Sequence, residues 1–131
     1  MNEASQVGEA VGPDRSTEGN SMIDRELLEL AAKAAGYNIR VEENWLAGEL
    51  PYMHMENERG RLWNPLTDDG DALRLMVKLR MVTNVCESDA MTTCFAEGMA
   101  QGQACDFMDD PYAATRRAIV LAAAEIGKGM P

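Results

Sequence analysis

Asp68, Asp69 and Asp71 are the first residues in this chain whose type and spacing could do chemistry. Carboxylates this close together attract a hard divalent cation, which prefers oxygen ligands. The cluster lacks the later ligands and the closing Glu of a calcium loop. Its surroundings, Asn64-Pro65-Leu66-Thr67-Asp68-Asp69-Gly70-Asp71, offer a second explanation. Pro65 blocks a helix at Asn64. Thr67 or Asp68 then caps a new helix, and Asp69 and Asp71 lie in its first turn, against the positive end of the helix dipole. Capping accounts for all three aspartates and is the stronger reading; a metal-dependent enzyme is the weaker one.

Two further sets invite a catalytic reading. His54, with Glu56 and Glu58 close in sequence, has the residue type of a general base. No Ser or Cys nucleophile stands in a recognisable setting beside it, and a single His excludes a His-rich metal site. The three cysteines, Cys86, Cys94 and Cys105, form no C-x-x-C pair. Cys86 and Cys94 can face each other across a hairpin as a redox pair, but reduced thiols acting as small apolar residues in a cytoplasmic chain are the preferred reading. The sequence calls for no catalytic residues, metal or cofactor.

Charge is more informative. The net charge is −10, with 22 acids against 12 Lys and Arg. Nucleic-acid binding needs clustered bases for phosphate contacts, so direct nucleic-acid binding is not expected. From Met81 to Thr115 there is no Lys or Arg, against six acids: Glu87, Asp89, Glu97, Asp106, Asp109 and Asp110. One end of the molecule is therefore expected to be electronegative. The plain reading is a solvated acidic surface; the sharper one is a docking face for a basic protein, with loop residue Trp45 as an added contact. Arg116 and Arg117 follow this segment and are expected in solvent or in ion pairs with Asp109 or Asp110.

These residues need elements to position them. Met1 to Ser21 holds Gly8, Gly12, Pro13 and Gly19 with scattered apolar residues, and reads as a disordered tail before a single domain over 22–131. A first helix is expected from Arg25 to Ala35, capped by Asp24, with Leu27, Leu28, Ala31, Ala34 and Ala35 inward and Gly36 ending it. Tyr37 to Glu43 alternates as a strand. Asn44 to Leu50 is a loop, Pro51 to Met55 a short strand, 56–60 a turn, and Arg61 to Trp63 a return strand. The middle helix follows Asp68, with Ala72, Leu73, Met76, Val77 and Leu79 expected inward and Arg74, Lys78 and Arg80 outward. Val82 to Cys86 and Met91 to Ala96 form a hairpin through 87–90. Gly98 to Met108 is a loop with an edge strand near Cys105 to Phe107. Asp110 caps a last helix from Pro111, at its first position, to Ile126, with Gly127 as its stop.

The expected class is α+β, in the order α-β-β-α-β-β-α: an antiparallel sheet of about four strands covered by three helices, an α-β-α sandwich. Hydrophobic content of 46% and a length of 131 residues suit one domain with its own core. Aromatics are only 5% and Met reaches ten residues, so Ala, Leu, Val and Met must fill that core. No apolar run reaches the roughly 18 residues a membrane helix needs.

Three segments, Leu27 to Gly36 (LLELAAKAAG), Trp63 to Leu79 (WNPLTDDGDALRLMVKL) and Asp110 to Gly127 (DPYAATRRAIVLAAAEIG), together resemble the phage ABA-sandwich family and the related NinX-like proteins of tailed bacteriophages and prophages. The resemblance spans about residues 22 to 128. It implies an α-β-α sandwich and an accessory protein in the host cytoplasm, and carries over no catalytic residues. The expectation is a non-enzymatic protein binding a host or defence-system protein. The competing expectation is an oligomeric small-ligand or nucleotide-binding protein, using the loops around Trp45 and Gly98 to Met108.

Overall fold

The computed structural model describes residues 13–42, 52–55, 61–99, 102–107 and 109–131. Trp45, the 44–50 loop, and Glu56 and Glu58 lie outside them. The elements are α1 (Pro13–Ala35), β1 (Ile39–Glu42), β2 (Tyr52–Met55), β3 (Arg61–Leu62), α2 (Asp69–Lys78), β4 (Met81–Cys86), β5 (Met91–Ala96), β6 (Gln103–Asp106) and α3 (Pro111–Lys128). The α+β class and the three helices match the sequence. The strands do not form one sheet of about four. They form two antiparallel sheets of three, ordered β1-β2-β3 and β4-β5-β6. The central strands β2 and β5 are each paired on both edges.

Helix α1 begins at Pro13, inside the stretch expected to be a tail, so Asp24 lies within the helix rather than at its cap. Pro13 suits a first helical turn, where its missing N–H costs nothing. The other end follows the sequence. Gly36 takes φ 77°, and Tyr37 N donates to the Ala32 carbonyl at 2.9 Å. Leu27, Leu28, Ala31, Ala32 and Ala35 are buried.

Helix α2 starts as its cap dictates. Asp68 is extended and its Oδ2 accepts from Asp71 N at 2.8 Å. Its buried stripe is Asp71, Ala72 and Leu75. Leu73 and Val77, expected inward, are 55% and 64% exposed. The stripe is rotated because one inward position belongs to a carboxylate, Asp71.

Helix α3 packs on the β4-β5-β6 sheet on one side and on α1 on the other. Asp110 Oδ1 accepts from Tyr112 N at 3.0 Å and Ala113 N at 3.2 Å, with Pro111 opening the helix. Its alanines 114, 118, 122, 123 and 124 are buried, which lets the neighbours approach closely. Cys94, Thr92 and Ala96 face the core from β5, while Val82 and Phe95, cross-strand partners, are exposed on the other sheet face. Met53, Met55 and Trp63 bring the first sheet into the same core, and Tyr37 meets the Trp63 ring edge to face, centroids 5.8 Å apart. Among the described residues, no helix is long and apolar enough to cross a membrane.

Gly127 does not stop α3, which continues to Lys128. It is buried where α3 crosses α1. A Cβ there would overlap the Leu30 carbonyl oxygen and stand 2.9 Å from its carbon. Because both obstacles are backbone, relief requires a helix shift. Gly127→Ala is expected to cost about 1–3 kcal/mol, the range for overpacking. Gly129→Ala should be near neutral, since its Cβ would meet only Ile126 O at 3.7 Å. Urea unfolding of both variants tests this; equal stabilities would refute the close crossing.

Candidate interaction site

The three central aspartates separate into different roles. Asp68 caps α2. Asp71 is buried, and its carboxylate is fully engaged. Oδ1 accepts from Arg61 Nη1 at 3.0 Å and Arg74 Nη2 at 2.9 Å, and Oδ2 accepts from Asn64 N at 2.9 Å. Burial alone raises its pKa. The Asn64 N–H and the Arg61 and Arg74 guanidiniums outweigh burial and hold the carboxyl below the ordinary carboxylate range. Asp69 reaches across to α3, where Arg116 Nη1 lies 2.6 Å from its Oδ1 while Arg116 Nε donates to Leu66 O at 2.8 Å. Among the described residues, no group of three or more His, Cys, Asp and Glu is arranged to hold a metal ion.

Glu56 and Glu58, the sequence neighbours of His54, lie outside the described residues, and the two cysteines of the suggested pair lie apart. His54 sits mid-strand, opposite Arg40 on β1 and Leu62 on β3. Cys86 and Cys94 are not cross-strand partners: Cys86 faces Met91, and Cys94 faces Thr83. All three thiols are free. Burial raises the Cys94 thiol pKa, an Sγ position suited to packing rather than redox exchange.

The acidic residues fare differently. Glu87 and Asp89 occupy the β4–β5 turn. Asp106 ends β6 opposite Met91. Phe107 N donates to Ala90 O at 2.9 Å and Asp110 N to Phe107 O at 3.0 Å, drawing the start of α3 to the same hairpin tip. Glu87, Asp89, Asp106, Asp109 and Asp110 are thus exposed at one end of the second sheet. Glu97 is not with them. It follows Ala96 at the far end of the six-residue β5, roughly 20 Å away at about 3.3 Å per residue.

Arg116 and Arg117 do not neutralise this end, contrary to expectation. Arg116 turns to Asp69 and Leu66. Arg117 Nη1 lies 2.9 Å from Asp24 Oδ1 on α1, an ion pair off the hydrogen-bonding direction. Among the described residues, none of the five acids forms an ion pair with Lys or Arg.

Beside the acidic end lies an apolar cleft of about 470 Å³ between α2, the end of β4 and the start of α3. Leu73, Met76, Val85, Tyr112 and Ile119 line it. Tyr112 is 71% and Val85 52% exposed, while Ile119 is buried beneath them. Sequence reading missed this cleft because it assigned Leu73 to the core. The available signal was α2 itself, which carries more apolar residues than one buried stripe can use. A second cleft, about 590 Å³, is lined by Glu97, Gly98, Met99, Gln103, Glu125 and Ile126, and Lys128 pairs with its Glu125 carboxylate at 2.9 Å. Comparison of the chain with protein-family models, curated proteins and solved structures finds no match.

The Asp71 geometry has a pH consequence. A folded-state pKa below the unfolded value stabilises fully above the unfolded pKa, about 3.9, and loses that contribution as pH falls through the folded pKa. Asp71→Asn is expected to cost about 2 kcal/mol at neutral pH, toward the low end for a buried pair because both guanidiniums keep contact with water. Urea unfolding should show this gap constant from pH 7 to about pH 4 and closing below it. A gap unchanged at the lowest accessible pH would mean that the carboxylate is not the stabilising species.

Proposed function

We propose that this chain is a small, acidic, non-enzymatic accessory protein of a tailed bacteriophage or prophage. It acts in the host cytoplasm by binding and modulating a host or host-defence protein with a basic surface. The observation that supports this most directly is the group of five exposed acids at the β4–β5 tip, which form no ion pair among the described residues while Arg116 and Arg117 pair with Asp69 and Asp24. Solvated carboxylates held near one another repel, and a basic partner relieves that repulsion while gaining long-range attraction. The likeness of Leu27 to Gly36, Trp63 to Leu79 and Asp110 to Gly127 to the phage ABA-sandwich and NinX-like proteins supports the setting.

The small-ligand reading is the weaker one. The cleft at Gly98 and Met99 presents the Glu97 carboxylate and a Glu125 carboxylate already paired with Lys128 at 2.9 Å. A nucleotide phosphate there would compete with Glu125 for that lysine. The exposed Val82–Phe95 pair on the second sheet is compatible with a homo-oligomer.

The test compares the wild type with Glu87→Gln/Asp89→Asn/Asp106→Asn/Asp109→Asn as baits in host lysate. Asp110 is kept because it caps α3. A basic protein should be retained by the wild type at roughly 0.05 M salt, released near 0.5 M, and lost by the variant. No capture, or capture indifferent to both salt and substitution, would defeat the reading.

A further inference from the structure

We infer that the cleft between α2, β4 and α3 seats an amphipathic helix of the partner, with its apolar face in the cleft and a Lys- or Arg-rich flank against the acidic end. This rests on the acidic-end reading above and adds the form of the partner. The interior of the cleft calls for apolar groups. Ala72 and Ile119 floor it, and Leu73, Met76, Val85 and Tyr112 form its walls. Its polar lining groups other than the Tyr112 hydroxyl are engaged within the protein. Asp69 is paired with Arg116, and the Thr115 hydroxyl donates to Pro111 O at 2.8 Å and lies 3.0 Å from the Thr92 hydroxyl. A nucleotide or sugar needs several convergent donors and acceptors, and the Tyr112 hydroxyl alone does not supply them.

The flank calls for positive charge. Val85 on one wall is followed by Glu87 and Asp89, and Pro111-Tyr112 on the other is preceded by Asp109 and Asp110. The apolar walls and the unpaired acids are therefore continuous in the chain and adjacent at the same end. An apolar groove edged on one side by carboxylates is the complement of a helix with one apolar and one basic face. The groove also suits a helix in shape. Residues 69, 72, 73 and 76 of α2 and 112, 115, 116 and 119 of α3 line it at helical i, i+3, i+4, i+7 spacing. Such rows form the ridges between which a third helix packs.

The probe is a fluorescein-labelled synthetic peptide of about 15 residues, long enough for a helix on binding. It carries Leu at i, i+3, i+4 and i+7 and Lys elsewhere. The controls are a permuted peptide of identical composition with its leucines spread around the helix, a version with Glu for Lys, and a version broken by a central Pro. Fluorescence anisotropy should show the Lys/Leu amphipathic peptide binding at least tenfold more tightly than the permuted, acidic and Pro-broken ones. Leu73→Ser and Tyr112→Ser should erase that preference. Both residues are exposed, and thermal unfolding confirms that each variant folds. Equal binding of amphipathic and permuted peptides would overturn the cleft and leave the acidic end standing. Equal binding of the acidic peptide would overturn the basic flank and the acidic-end reading with it. Equal or tighter binding of the Pro-broken peptide would replace the helix by an extended segment. Absence of binding by all four would overturn the inference, while the lysate capture separately decides the acidic end.

Discussion

The Asp71 carboxylate is the interaction on which the arrangement of this protein depends. It joins three pieces that no strand pairing connects: Arg61 of β3, the backbone of Asn64 in the proline turn, and α2 through Arg74. Among the described residues, the first sheet forms no ladder with the second. Among the described residues, Met53, Met55 and Trp63, with Ile39 and Val41 of β1 packed beside them, and this carboxylate link it to the remainder. Burying a carboxylate is unfavourable unless charge and hydrogen bonds answer it, and here they do so on both oxygens. The same buried position sets the rotation of α2. With Asp71, Ala72 and Leu75 turned inward, Leu73 and Val77 must face out. A device that holds the fold together thereby creates an apolar wall on the surface.

The two adjacent arginines of α3 act in a related way. Consecutive helical residues point about 100° apart, so Arg116 and Arg117 cannot serve the same neighbour. Arg116 ties α3 to the α2 cap region, and Arg117 ties it to Asp24 of α1. Neither forms an ion pair with an acid of the hairpin tip. Exposed ion pairs contribute little stability each, but Arg116 is largely buried and also bonds a backbone carbonyl, so its position is fixed by more than one partner. The acidic end is left unneutralised because the nearest cations in sequence are used for helix–helix attachment.

What the sequence made legible were features decided within a few residues. The caps Asp68 and Asp110, Pro111 at the first turn of α3, Gly36 in the left-handed conformation and the β4–β5 hairpin are all local choices, and each is present. Features decided by distant contacts were not legible. Gly127 resembles a helix stop, yet it serves an α1–α3 crossing whose partner, Leu30, lies nearly the whole domain away in sequence. The division into two sheets depends on which strands find partners, and the hairpin register puts Cys94 three residues beyond Met91, the partner of Cys86. Glu97 shares the base-free segment with the other acids, but β5 carries it to the opposite end. Charge counted along the chain groups residues that an antiparallel strand then divides.

The candidate site and the fold meet in Asp69 and Arg116. This pair stands at the rim of the apolar cleft, and the same arginine holds Leu66 in the proline turn. The α2 wall, bearing Leu73 and Met76, and the α3 wall, bearing Tyr112 and Ile119, are therefore spaced by a contact that belongs to the Trp63–Leu79 segment. That segment positions one wall of the cleft, anchors the other, and consumes the positive charge that would otherwise offset the neighbouring acids. The surface properties of the acidic end thus follow from how α2 is capped, turned and fastened.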